Sequence, residues 1–218
     1  MLEQCLIEFC AATLASLKSA SLFNIRFESQ EDAEEQVALW NERLQDKGIR
    51  LVILRRTLGD QAKCRALVYV YRKRQLEKVL RNPDVADFLR DYGYEEIYRG
   101  IYGEFPGASN GFCEESFADF ADGFAEGLAE RAISRLRNRV AESSDFPHEI
   151  GIFLDYPLGD VQGFIDNEGR NFKCVGCWKV YCDECASLKK FAQYRKCRDV
   201  YRRLWQQGRS VLQLTVAA

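Results

Sequence analysis

The sequence predicts an α/β or α+β fold: a single domain with a mixed β-sheet of about five strands flanked by helices. Three observations carry this. Apolar residues recur at three- and four-residue intervals over several long stretches, short β-branched runs stand between them, and the two kinds of segment alternate loosely along the chain. A chain of 218 residues is long enough to bury a core without staples.

Taken in order, an opening helix is predicted from Leu2 to about Lys18, with Leu6, Phe9, Cys10, Thr13, Leu14 and Leu17 on one face. Ser29 reads as an N-cap with Asp32 three residues on, starting a helix through Val37, Trp40 and Leu44 that stops at Gly48. Ile49 to Arg55 and Ala66 to Tyr71 are β-rich and separated by a Gly-Asp turn region, a hairpin pattern. A helix follows from Gln75 to about Tyr92, interrupted at Asn82-Pro83. Residues 95–112 read as a loop or insertion, because Gly100, Gly103, Gly107 and Gly111 break up the apolar residues. Glu114 to Glu142 reads as a long helix, with Phe117, Phe120, Phe124, Leu128, Ile133, Leu136 and Val140 inward and arginines at its end. Phe146 to Leu154 is predicted as a short buried strand, Pro157 to Ile165 as a short helix, and Arg209 to Val216 as a last strand.

Charge is unevenly spread. Between Arg170 and Arg209 there are 11 Lys or Arg against three acids, a local +8 on a body of −10. The basic helix from Lys189 to Arg209, with Lys189, Lys196, Arg202 and Arg203, is therefore an anion-binding candidate, or a solvated face of an acidic protein. No nucleic-acid-binding motif accompanies it. No apolar run reaches the roughly 18 residues of a membrane span, and the amino terminus is acidic where a secretory signal is basic. A cytoplasmic protein is expected, in which nine cysteines serve as thiols or metal ligands rather than disulfides.

Cys174-x-x-Cys177 and Cys182-x-x-Cys185 resemble a four-cysteine zinc or iron-sulfur motif on paper. Residues 178–181 alternate like a strand, which would separate Cys177 from Cys182 by about 16 Å. Cys197 is the better partner. On a helix starting near Asp183 it lies about 21 Å along, level with Cys174 if the helix packs back on the strand. The predicted metal set is Cys174, Cys177 and Cys197, completed by Cys10 or His148, with zinc or iron as the ion. A CxxC followed by a strand departs from the dithiol redox arrangement, where a helix follows. Cys5, Cys64 and Cys113 read as small core residues. His148 has Glu149 beside it, but neighbours on a strand point to opposite faces. Gly107-Ala108-Ser109-Asn110-Gly111 matches a nucleophile elbow without the buried strand that must precede it, so it reads as a loop. No Walker loop or GxGxxG is present.

Several strings resemble one bacterial family, the domain of unknown function 3793. They are Cys10 to Lys18; Phe146-Pro147-His148-Glu149-Ile150-Gly151 with Tyr156-Pro157; Asp160-Val161 with Gly163-Phe164-Ile165; and Lys173-Cys174 with Gly176-Cys177-Trp178-Lys179-Val180-Tyr181, then Tyr194 with Lys196-Cys197. The resemblance covers nearly the whole chain. Ala12 stands where the family pattern has proline, and Cys182 and Cys185 fall outside it. It implies no reaction; the family's company with flavodoxins and iron-uptake proteins implies redox or metal handling and a redox partner. Two functions are thus expected: a cysteine-based metal-binding or thiol-redox protein, or a non-catalytic binding module whose basic helix takes an anionic partner.

Overall fold

A computed structural model describes residues 1–58, 63–102, 127–142 and 146–217. Helix α1 (Leu2–Leu14) runs into strand β1 (Ala20–Phe27), whose Phe23, Ile25 and Phe27 alternate into the core. Helix α2 (Gln30–Leu44) starts on Ser29, whose hydroxyl accepts from the Asp32 amide at 3.1 Å. A single 3₁₀ turn then ends at Gly48, which takes the left-handed conformation. Strands β2 (Ile49–Leu58) and β3 (Cys64–Arg72) complete an antiparallel sheet in the order β1-β3-β2.

Strand β3 lies in the middle and is buried on both faces, so its alternate residues serve two cores. Ala66, Val68 and Val70 join α1, α2, and the inward residues of α9 (Glu184–Gln206) and α10 (Val211–Leu214). Leu67, Tyr69 and Tyr71 join a second core. It is built by α3 (Lys73–Leu80), α4 (Pro83–Leu89), α5 (Glu95–Tyr102), α6 (Leu128–Glu142), α7 (Ile150–Phe153) and α8 (Leu158–Asp166). Each large apolar side chain so buried contributes roughly 1.5–3 kcal/mol, which makes the sheet the common floor of two helical layers. A two-stranded ribbon, β4 (Cys174–Val175) and β5 (Lys179–Val180), stands apart from this sheet. Among the described residues no helix is long and apolar enough to cross a membrane.

The fold is α+β, and the expected single sheet of about five strands is corrected to three strands plus the ribbon. Residues 146–154 form a turn and α7 rather than a strand: a short apolar run does not distinguish a buried strand from a buried helix. Residues 211–214 are helical because Ser210 and Gln213 form a capping box. Residues 95–102 are helix α5, not a loop, and β1 is an element the sequence reading did not include. The Gly107 to Gly111 string, Cys113, Phe117, Phe120 and Phe124 lie outside the described residues.

Three helices end in the same way. After α1 the Leu17 amide bonds to the Ala12 carbonyl and the Ser16 amide to Thr13; after α7 the pairs are Tyr156 to Gly151 and Asp155 to Ile152; after α8 they are Gly169 to Phe164 and Glu168 to Ile165. These are Schellman closures, yet Ser16, Asp155 and Glu168 hold the left-handed position with φ of 61, 62 and 50°. Helix α9 closes identically with Gly208 there. Two of the non-glycine residues have work to do: Asp155 accepts from the Ser19 amide at 3.1 Å, and the Ser16 hydroxyl bonds Gln75 at 2.6 Å. Buried Arg72 completes the end of α1 by donating to the Thr13, Leu14 and Val216 carbonyls at 2.6, 2.7 and 2.7 Å.

Glu168 is exposed and makes only a long, exposed contact to Arg170. Glu168→Gly is therefore expected to raise stability by about 1 kcal/mol, seen as a higher urea midpoint. Arg72→Lys, which cannot reach three carbonyls with one ammonium, is expected to cost about 3 kcal/mol in the same assay.

Candidate functional site

The ribbon is held by one carboxylate. Asp160, buried on α8, accepts from the Tyr181 and Cys182 amides at its Oδ1, both at 2.8 Å, and from the Trp178 indole N–H at its Oδ2, at 2.7 Å. The two glycines flanking this contact face, Gly159 and Gly163, sit one turn apart; a Cβ there would lie 2.5 Å from the Cys182 sulfur and 2.5 Å from the Tyr181 ring. Helix α8 thus offers a seat without side chains around a single anion. At the ribbon's tip Gly176 is equally constrained, since a Cβ would come within 2.3 Å of the Phe191 ring on α9. Trp178 closes the back, stacked on Tyr156 at 4.9 Å and edge-on to Phe191 at 4.5 Å.

The closures of α1 and α7 bring a second set of groups to this tip. The Ser19–Asp155 bond joins the two helix ends and places Lys18 with its ammonium 5.0 Å from the centre of the Tyr156 ring. Tyr156 in turn donates its hydroxyl to the Cys177 carbonyl at 3.2 Å. Lys18 keeps part of its surface exposed, but its ammonium ends among protein. Burial lowers its pKa, while the Cys177 thiol, the Asp155 carboxylate and the Cys10 thiol pull the other way. Burial, with the Cys177 thiol adding to it, pushes the Tyr156 phenol up to about 12, so it remains a hydrogen-bond donor.

Gly176 and Cys177 line two clefts in common, and Cys177 is an exposed free thiol. The first, about 390 Å³, lies between α1 and α9; Lys18, Ser21, Tyr194, Arg195 and Arg198 line it together with Cys177. Its acid, Glu8, is already gripped by Arg202, whose Nε and Nη2 donate to its two carboxylate oxygens. That hydrogen bond, before any other effect, holds the Glu8 carboxyl below the usual carboxylate range. The second cleft, about 340 Å³, has aromatic walls from Tyr156, Phe164 and Trp178, with His148 at its edge.

The predicted metal set is dispersed. Cys10 is fully buried in the core of α1, α2 and α9, where burial pushes its thiol up strongly. Cys197 packs in that same core and donates to the Ala11 carbonyl at 3.5 Å; burial raises its pKa too. Cys174 is partly buried. Desolvation, then the Glu184 and Asp160 carboxylates, raises its thiol. Its charged neighbours are therefore different from those of Cys177. His148 is exposed, its ring edge-on to Phe164 at 5.0 Å, while Glu149 beside it is buried against Arg139 and Tyr94. No three His, Cys, Asp or Glu side chains among the described residues are grouped to hold a metal ion.

Of the predicted anion-binding residues, Arg202 is engaged by Glu8, and Lys189, Lys196 and Arg203 recur every seven residues on a face of α9 away from the cleft lining. Arg195 and Arg198 line the cleft instead, sharing the helical face of Phe191 and Tyr194. Sequence reasoning assigned no role to Lys18, Tyr156, Asp160, Arg195 or Arg198. The signal for the last two was their four-residue spacing from Phe191 and Tyr194. For Asp160 it was a carboxylate set between glycines at i−1 and i+3.

Fold and site together define an α+β protein with a free thiol on the wall of a cationic cleft. The chain belongs to the family described as Protein of unknown function (DUF3793), whose model matches residues 6–102 and 118–215. No curated protein and no solved structure matches it.

Asp160→Asn keeps one acceptor oxygen but turns its NH2 towards either the indole N–H or the two amides. It is expected to lower stability by about 1–3 kcal/mol, and Asp160→Ala by more. Hydrogen exchange at the Tyr181 and Cys182 amides should accelerate in both; unchanged exchange would show that this carboxylate does not hold the ribbon.

Proposed function

We propose that the protein is a thiol-dependent redox protein whose working group is Cys177. The observation that carries this is the position of Cys177: an exposed free thiol, at a tip fixed by Asp160 and Tyr156, bordering two clefts, one of which Lys18 also lines. The attacking species in thiol chemistry is the thiolate. Lys18 is a cation lining the same cleft, and desolvation leaves that lysine more ready to exchange a proton than an exposed one. At Cys174 desolvation, then the Glu184 and Asp160 carboxylates, favour the protonated form, and this thiol lines neither cleft. Cys182 and Cys185 are exposed but line neither cleft.

Native protein treated briefly with iodoacetamide and mapped by mass spectrometry is expected to be alkylated at Cys177 ahead of Cys174, Cys182 and Cys185. Lys18→Met should slow the Cys177 rate several-fold and leave Cys185 unaffected. Alkylation of Cys182 and Cys185 with Cys177 inert would overturn the assignment.

A further inference from the structure

The cleft between α1 and α9 says what kind of molecule reaches Cys177. Its volume of about 390 Å³ is that of a small-molecule site. Its charges are Lys18, Arg195, Arg198 and Glu8. Glu8 is neutralised by Arg202, which lies outside the lining, so the remaining three cations are not balanced within the cleft. Arg195 has no ion-pair partner among the described residues, and the nearest acid to Arg198 is its chain neighbour Asp199, at 3.9 Å. Both arginines project from the α9 face that carries Tyr194, directly across from the α1 residues Ala11 and Ala12. Planar guanidinium groups of this kind bind carboxylate or phosphate oxygens in pairs. Aromatic side chains of Phe9, Phe191 and Tyr194 supply the apolar part of the wall.

Resting on the reading of Cys177 as the working thiol, we propose that its substrate is a low-molecular-weight disulfide carrying at least two negative charges. Arg195 and Arg198 hold the anionic groups, and the sulfur lies against Cys177. The Cys177 thiolate attacks one sulfur of R–S–S–R, the S–S bond breaks, and R–S⁻ departs and takes up a proton. The protein is left with R in a mixed disulfide at Cys177. One half of the incoming disulfide is reduced to a thiol, and Cys177 is oxidised to the disulfide level. Attack by the same small thiol on the mixed disulfide reverses the step.

The test uses two aromatic disulfides of different charge: dianionic 5,5′-dithiobis(2-nitrobenzoate) and neutral 4,4′-dithiodipyridine. Rates at Cys177 are read from the released chromophore, with the part lost in Cys177→Ser taken as its own and the adduct confirmed by peptide mapping. In Arg195→Gln/Arg198→Gln the preference for the dianionic reagent is expected to fall by about tenfold, with the neutral rate unchanged, and added salt should erase the preference in the wild-type chain. Both arginines are exposed, and a matching circular dichroism spectrum would establish that the variant is folded. A preference that is the same in the variant and the wild type, with Cys177 still labelled by the neutral reagent, overturns the anionic substrate and leaves the thiol reading standing. Failure of both reagents at Cys177 overturns both.

Discussion

A single buried carboxylate organises the end of this molecule that carries the candidate site. Asp160 accepts from two consecutive backbone amides and an indole, and each of those donors belongs to the ribbon rather than to the helix that carries the carboxylate. A two-stranded ribbon of this length has no stability of its own. Its position therefore comes from what it is bolted to. The glycines around Asp160 let the ribbon approach the helix backbone, and Gly176 lets its tip pass beneath the Phe191 ring. The tip that carries Cys177 is thus clamped from α8 on one side and α9 on the other.

The sheet sets the distances between those clamps. Because β3 is buried on both faces, the helices of one layer and those of the other are referenced to the same strand. Tyr69 extends this reference by donating to the Phe153 carbonyl at 2.6 Å, which fixes α7, and Arg72 fixes the end of α1. The closures after α1 and α7 then meet through Ser19 and Asp155, so Lys18 and Tyr156 arrive at the ribbon from opposite layers. Left-handed serine and aspartate at those closures cost the fold something that glycine would not. Their side-chain bonds to Gln75 and Ser19 offset part of it and specify how the helix ends join.

Much of this was legible in the sequence where a local rule acts alone. Ser29 opens α2 and Gly48 closes the 3₁₀ turn that follows it, α9 starts next to Asp183, and the β2–β3 hairpin follows its β-branched runs, close to what the residues predict. Cys197 was correctly placed on the inward face of its helix, because the three- and four-residue spacing of Phe191, Tyr194 and Tyr201 allows no other. What failed were short apolar segments, such as 146–154, where tertiary packing rather than periodicity chooses helix or strand. The site was harder still. Spacing drew attention to cysteines as a set, whereas the fold distributes them: Cys10 and Cys197 in a core, Cys174 towards carboxylates, Cys177 towards a lysine. For Cys197 and Cys177 that distribution depends on residues more than a hundred positions away, Ala11 and Lys18, which no local pattern records.

The account that emerges is of one thiol singled out by its surroundings rather than by its motif. Asp160 and Gly176 hold the tip in place, and Lys18, Arg195 and Arg198 line the adjoining cleft. The most direct measurement is of the protein recovered from its native cells, quenched in acid, alkylated without reduction and mapped by mass spectrometry. The account predicts a fraction of molecules with Cys177 joined to a small acidic thiol, released by reductant. Finding Cys177 free in every molecule, or bonded to Cys174 of the same chain, would contradict it.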